Sequence, residues 1–181
     1  LLQSMNLKPV TAEQLCVRTD IKADRVKVLS VEIDFDVPFV TKGREAALPV
    51  KNGVVLPDPD QDVIYAAVIE RFGRTKGRPA VGFCSNWKLK AGAMASSATP
   101  DDNNVVVIGT NSADMALAVN HLVENGGGQV VVNDGQVLGF LPLPICGVVA
   151  DLEPETMAAE EDKLLRLARE QNCPAVAIVF D

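Results

Sequence analysis

Val105-Val106-Val107-Ile108 is a run of four β-branched residues closed by Gly109. A helical pattern follows over residues 112–124, then Gly126-Gly127-Gly128, then an apolar stretch at 129–132. A short β-branched run bounded by turn formers reads as a buried strand. Met115, Ala118, Val119 and Leu122 recur at helical spacing and make one apolar stripe. Asn111 or Ser112 can cap this helix, Asp114 suits its positive end, and the glycines supply a left-handed stop. A strand–helix–strand unit has to lay its helix on one face of a sheet, so the chain is committed to a layered α/β arrangement.

The flanking chain adds hairpins. Asn52-Gly53 lies between two apolar runs, and Asn133-Asp134-Gly135 separates 129–132 from 136–141. Such turns are strong short-range hairpin signals. Residues 24–37 alternate, and Leu29, Val31, Ile33, Phe35 and Val37 read as the apolar face of a half-buried strand. Residues 38–44 read as a connection. Residues 45–50 read as a strand whose Pro49 suits an edge. Residues 62–71 fit either period, but their β-branched and aromatic content favours a strand. Residues 79–84 form another, in which Gly82 suggests a bulge or a close backbone approach. Residues 72–77 are a basic, Gly-rich turn. Thr11 and Gln14 have capping-box spacing for a short helical turn. Pro154 opens a second helix over 155–171, with Met157, Leu164, Leu165 and Ala168 as its stripe. Cys173-Pro174 ends it, and residues 175–180 read as a last strand. The expectation is roughly eight strands and two long helices: a mixed sheet, or two sheets, built from hairpins and one strand–helix–strand unit, with helices on the faces.

The 181 residues, 48% hydrophobic, suffice for one full core. A net charge of −7 argues against nucleic acid or an acidic membrane surface as partner. No apolar run reaches the length of a membrane span, and the first residues lack the pattern of a signal peptide. The chain does not begin with Met, which suggests a fragment or a processed product. Cys16, Cys84, Cys146 and Cys173 are scattered without CxxC spacing. They read as reduced thiols of a cytoplasmic protein.

The polar stretch 92–104 feeds the 105–108 strand, a place where α/β proteins often keep function; a plain surface connection is the competing reading. His121, the one histidine, falls in the last turn of the first helix and reads as a surface residue. One histidine and no cysteine cluster argue against a hydrolytic metal centre. Asp101 and Asp102 offer at most a weak oxygen site for a hard cation, because Pro100 restricts their loop. Ser96 and Ser97 have no base within sequence reach and suit a turn. Neither a phosphate-binding loop nor a nucleophile elbow is present. The residues alone describe an α/β module without a self-contained catalytic site and without a metal of its own.

Several stretches nevertheless resemble one family. VGF at 81–83, GAMASS at 92–97, VVVIGTN at 105–111, DMALAVN at 114–120, ENGGGQVVVNDGQV at 124–137 and LPLPICG at 141–147 keep order and spacing. So do KPVTAEQL at 8–15 and LPVKNGVVLP at 48–57. The chain thus resembles the C-terminal domain of bacterial adenine deaminases of the amidohydrolase superfamily. That resemblance implies a single accessory domain over residues 1–181, with 1–22 as a lead-in, and no TIM barrel. In the family a preceding barrel binds divalent metal (Mn, Fe or Zn) through His and Asp and converts adenine and water to hypoxanthine and ammonia. The implied partners are that catalytic barrel of the same protein and further copies in a homo-oligomer. The alternative is a non-catalytic binding or oligomerisation module of a diverged homologue. The family's loop reads Ser-Ser-x-x-His-Asp-Ser-His-Asn. Ser96, Ser97, Asp101 and Asn104 match it, so the resemblance makes them the candidate site, on the substrate side or at an interface. Pro100 and Asn103 stand where the two His should be, and Asp102 replaces the Ser. The implied consequence is a parent aminohydrolase with another substrate, or one no longer active.

Overall fold

The computed structural model describes residues 4–34, 37, 40–75, 78–99 and 103–171. A 3-10 turn, Ala12–Leu15, precedes strands β1 (Val17–Arg18), β2 (Arg25–Ile33), β3 (Thr41–Lys51), β4 (Val54–Val55), β5 (Val63–Ile69) and β6 (Ala80–Ser85). Strands β7 (Ala93–Ser96) and β8 (Val105–Gly109), helix α1 (Ser112–Glu124), strands β9 (Gly128–Asn133) and β10 (Gln136–Pro142) and helix α2 (Pro154–Glu170) follow. One ten-stranded sheet results, in the order β1-β4-β3-β2-β6-β5-β8-β7-β9-β10. It is mixed: β2 pairs with β6 in parallel, and the other neighbours are antiparallel. No TIM barrel occurs among the described residues.

Local chemistry sets the hairpins. Asn52 and Gly53 have φ of 53° and 73°, and Asp134 and Gly135 have 50° and 70°. Two consecutive left-handed residues make the tight turn whose twist matches antiparallel strands. They close Lys51 onto Val54 and Asn133 onto Gln136. The strand–helix–strand unit is β8–α1–β9, with β7 lying between its strands. Asn111 is the cap of α1, its Oδ1 accepting from the Asp114 N–H at 2.8 Å. The helix ends where the Gly127 N–H donates back to the Leu122 carbonyl at 2.8 Å, with Gly126 at φ 77°.

The two helices cover opposite faces. Met115, Ala118, Val119 and Leu122 of α1 are fully buried against Val105, Val107, Val130 and Val132. Met115, Val119 and Leu122 each contribute roughly 1.5–3 kcal/mol. Leu164 and Ala168 of α2 pack with Met94, Ile108, Val131 and Leu141 on the other face. Met157 and Leu165 are only partly buried beside them. The lead-in joins the α1 side: Leu7, Val10 and Leu15 belong to that core. Val10 and Asn120 exchange two hydrogen bonds, Val10 N–H to Asn120 Oδ1 at 2.8 Å and Asn120 Nδ2 to the Val10 carbonyl at 2.9 Å.

Several expectations are corrected. Residues 93–96 form β7, an interior strand whose four residues are all buried, rather than part of a polar loop. β3 begins at Thr41, inside the stretch read as a connection. No bulge accompanies Gly82, whose β6–β5 register is continuous, and a Cβ there would meet nothing within 4 Å. On β2 the buried residues are Val26 and Ser30, whereas Leu29 and Val31 are 70% and 53% exposed. Val26 belongs to the α1-side core that the lead-in also joins, which reverses the face read from alternation. Phe35 and the expected last strand at 175–180 lie outside the described residues.

Candidate functional site

Ser96 and Ser97 lie at the end of β7, both fully buried. Ser96 Oγ closes a local turn, donating to the Ala98 carbonyl at 2.9 Å and accepting from the Ala98 N–H at 3.1 Å. Ser97 Oγ bridges three segments: it accepts from the Gly128 N–H at 2.8 Å and donates to the Gly147 carbonyl at 2.6 Å. Across the loop, Thr99 Oγ1 donates to the Asn104 carbonyl at 3.1 Å. Asn104 is half-buried, and Asp101 lies outside the described residues. The two serines are therefore committed to backbone groups, and the chemistry they supply here is structural.

Asn103 takes a left-handed φ of 50°, and its carbonyl accepts from Arg71 Nε. Arg71 was not singled out from the sequence. Its side chain is 1% exposed. Arg71 Nη1 donates to Ser4 Oγ, which in turn donates to the Cys146 carbonyl at 2.6 Å. The Asn6 N–H donates to the Arg71 carbonyl at 2.8 Å. The guanidinium lies 4.7 Å above the Phe72 ring centroid, and that of Arg74 lies 5.8 Å from the same centroid. Burial pulls the Arg71 pKa below its ordinary value, with nearby Cys146 acting in the opposite sense. An arginine nonetheless stays cationic near neutral pH. The signal that points to Arg71 is periodicity: Val63, Tyr65, Ala67 and Ile69 are the buried alternate residues of β5, and Arg71 is next in that series.

Two cavities flank the end of the loop. One, of about 470 Å³, is lined by Ser4, Asn6, Arg71, Arg74 and Asn103. The other, also about 470 Å³, is lined by Val68, Thr75, Arg78, Ala80 and Asn104. Consecutive residues of the family motif thus serve different cavities. No group of three or more His, Cys, Asp or Glu side chains converges among the described residues. The hydroxyls of Ser96 and Ser97 are already engaged with backbone groups. His121 packs edge-on against Phe140 at 4.5 Å, away from this loop.

The fold and the described residues define an α/β domain built on one mixed ten-stranded sheet with a helix on each face. The family model described as adenine deaminase C-terminal domain matches residues 38–180. "Adenine deaminase 1" of Desulfotalea psychrophila is 49% identical over 163 residues, covering 90% of this chain but 27% of the relative. "Adenine deaminase 4" of Rhizobium meliloti is 46% identical over 173 residues, covering 96% of this chain and 29% of the relative. "Adenine deaminase 1" of Latilactobacillus sakei is 49% identical over 149 residues, with 82% and 25% covered. The chain belongs to the adenine deaminase C-terminal domain family, and it spans about a quarter of the length of the curated relatives it matches.

Proposed function

We propose that residues 1–181 are the accessory domain of an adenine deaminase-like aminohydrolase, with 1–22 as its lead-in. In this reading a preceding TIM barrel of the same polypeptide holds Mn, Fe or Zn and converts adenine and water to hypoxanthine and ammonia. The domain packs on that barrel and supports a cytoplasmic homo-oligomer. Ser96, Ser97, Asp101 and Asn104 shape the side turned towards the barrel.

One observation carries this reading: among the described residues, no helix or strand covers the α2-bearing face of the sheet over β2 and the far end of β5. Leu29, Val31 and Val68 are 70%, 53% and 40% exposed there. Large exposed apolar side chains gathered on one sheet face mark a surface that another body covers. The relatives supply the body, since about three quarters of their length lies outside the match.

The test uses the full-length protein and this chain alone. Ammonia release from adenine, with added Mn²⁺ or Fe²⁺, is expected from the former and not from the latter. Leu29→Asp together with Val31→Asp should expose the junction to limited proteolysis without unfolding this domain. A folded, metal-loaded full-length protein with no turnover of adenine would instead favour the diverged, non-catalytic module. Pro100 and Asn103, standing in place of the family's two His, are the observation behind that second reading.

A further inference from the structure

Arg71 is a buried cation whose described partners are all neutral. Its Nε–H donates to the Asn103 carbonyl, its Nη1 to Ser4 Oγ and, at 3.9 Å, to Met5 Sδ. Five guanidinium N–H groups are available, so this set leaves donors over. Glu70, the acid next to it in sequence, does not neutralise it. The Glu70 carboxylate accepts from the Phe72 N–H at 2.6 Å and the Thr75 N–H at 2.8 Å, closing the turn instead. Arg74 is a second cation on the same cavity, and among the described residues neither arginine enters a salt bridge.

Charges held out of water are normally paired. Two guanidiniums held near one phenyl ring repel each other unless an anion lies between them. In a chain of net charge −7, two arginines meet here with no carboxylate paired to either among the described residues, an arrangement that suits an anion brought from outside. The cavity suits one: about 470 Å³, lined by both arginines together with Asn6 and Asn103. Gly147 makes the room, because a Cβ there would lie 2.7 Å from Arg71 Nη1. Several N–H donors arranged around one space match the oxygens of a tetrahedral oxyanion better than the two of a carboxylate.

We propose that the cavity between Arg71 and Arg74 is a binding site for a phosphate group, free or as a phosphomonoester. Arg71 supplies a preorganised fork from below, and Arg74 closes the site from the solvent side. The inference does not depend on the proposed deaminase reaction, because its readout is binding.

Isothermal titration of the full-length protein with inorganic phosphate tests it, with acetate as the carboxylate probe. Saturable binding at one site is expected, with acetate weaker. Arg74→Ala, an exposed position, should weaken phosphate binding roughly tenfold or more without changing the melting temperature in phosphate-free buffer. Arg71→Lys keeps the charge but loses the fork and should weaken it as well. Absence of saturable binding would overturn the proposal, as would binding unchanged in both variants. So would binding that appears only in Asp101→Asn or Asp102→Asn, which would make the chain's own carboxylates the counter-charge.

Discussion

Ser97 and Gly128 are joined in both directions. The Ser97 N–H donates to the Gly128 carbonyl at 3.0 Å, and the Gly128 N–H donates to Ser97 Oγ at 2.8 Å. The pair extends the β7–β9 ladder by one step beyond Ser96 and Gln129. It uses a hydroxyl where a carbonyl would otherwise stand. The same hydroxyl donates to Gly147, so one side chain ties the end of β7, the start of β9 and the turn after β10. Ser97→Ala leaves a buried N–H and a buried carbonyl without this partner. The expected loss is about 1–3 kcal/mol in urea unfolding. A change below about 0.5 kcal/mol, within the range of neutral surface substitutions, would show that the hydroxyl is dispensable.

Two neighbouring glycines should respond differently to alanine. Gly126 has φ 77° and open space where a Cβ would go. Gly127 has φ 114°, and a Cβ there would lie 2.5 Å from Gly147 Cα and 2.8 Å from Ser97 Oγ. Gly126→Ala bears only the left-handed strain, about 1 kcal/mol. Gly127→Ala also has to push two backbone segments apart, and about 2–4 kcal/mol is expected. Equal losses in thermal or denaturant unfolding would mean that the close approach does not limit this corner.

The contrast between these glycines shows what the sequence can and cannot disclose. Gly126-Gly127-Gly128 is legible as a helix stop because the stop is local, as are the turns at Asn52-Gly53 and Asp134-Gly135. The Asn111 cap and the α1 stripe are legible for the same reason. β7 is not, because Ala93, Met94, Ala95 and Ser96 carry no β-branched signal. The small size of Ala93 and Ala95 answers a tertiary need: α1 packs closely over this part of the sheet. At Gly109, beside Ala93, a Cβ would lie 2.5 Å from Met115 Cγ. The site divides likewise. Ser96 and Ser97 are visible as motif residues, but their burial is not. Arg71 gains its place from Ser4 and Asn103, which are 67 and 32 residues away along the chain.

The reversed face of β2 has a direct test. Leu29 and Val26 are both apolar strand residues three apart, and alternation alone favoured Leu29 as buried. In the structure Leu29 is 70% and Val26 only 9% exposed. In this chain on its own, Leu29→Lys should change stability by no more than about 0.5 kcal/mol. Val26→Lys places an unpaired ammonium in the apolar core on the α1 side of the sheet and should cost about 3 kcal/mol or more. The opposite ranking in denaturant unfolding would restore the face read from the sequence.

Alkaline pH should weaken the fold through Tyr65. Its hydroxyl donates to the Val55 carbonyl at 2.6 Å, and its ring stacks on Phe83 at 5.4 Å. The residue is 2% exposed. Burial pushes its pKa well above the ordinary phenol value, and the nearby Cys16 adds to the shift. The folded state therefore holds the phenolic proton more tightly than the unfolded state does. This contribution is fully present below about pH 10, the unfolded value, and is lost as pH rises through the window up to the folded pKa. Within that window the group lowers stability by about 1.4 kcal/mol per pH unit. Urea unfolding at about pH 8 and about pH 11 should reveal this slope. Tyr65→Phe should lose about 1 kcal/mol at neutral pH with the Val55 bond, yet decline less steeply in alkali. The two stability curves should converge as pH rises; parallel curves would place the alkaline sensitivity elsewhere in the chain.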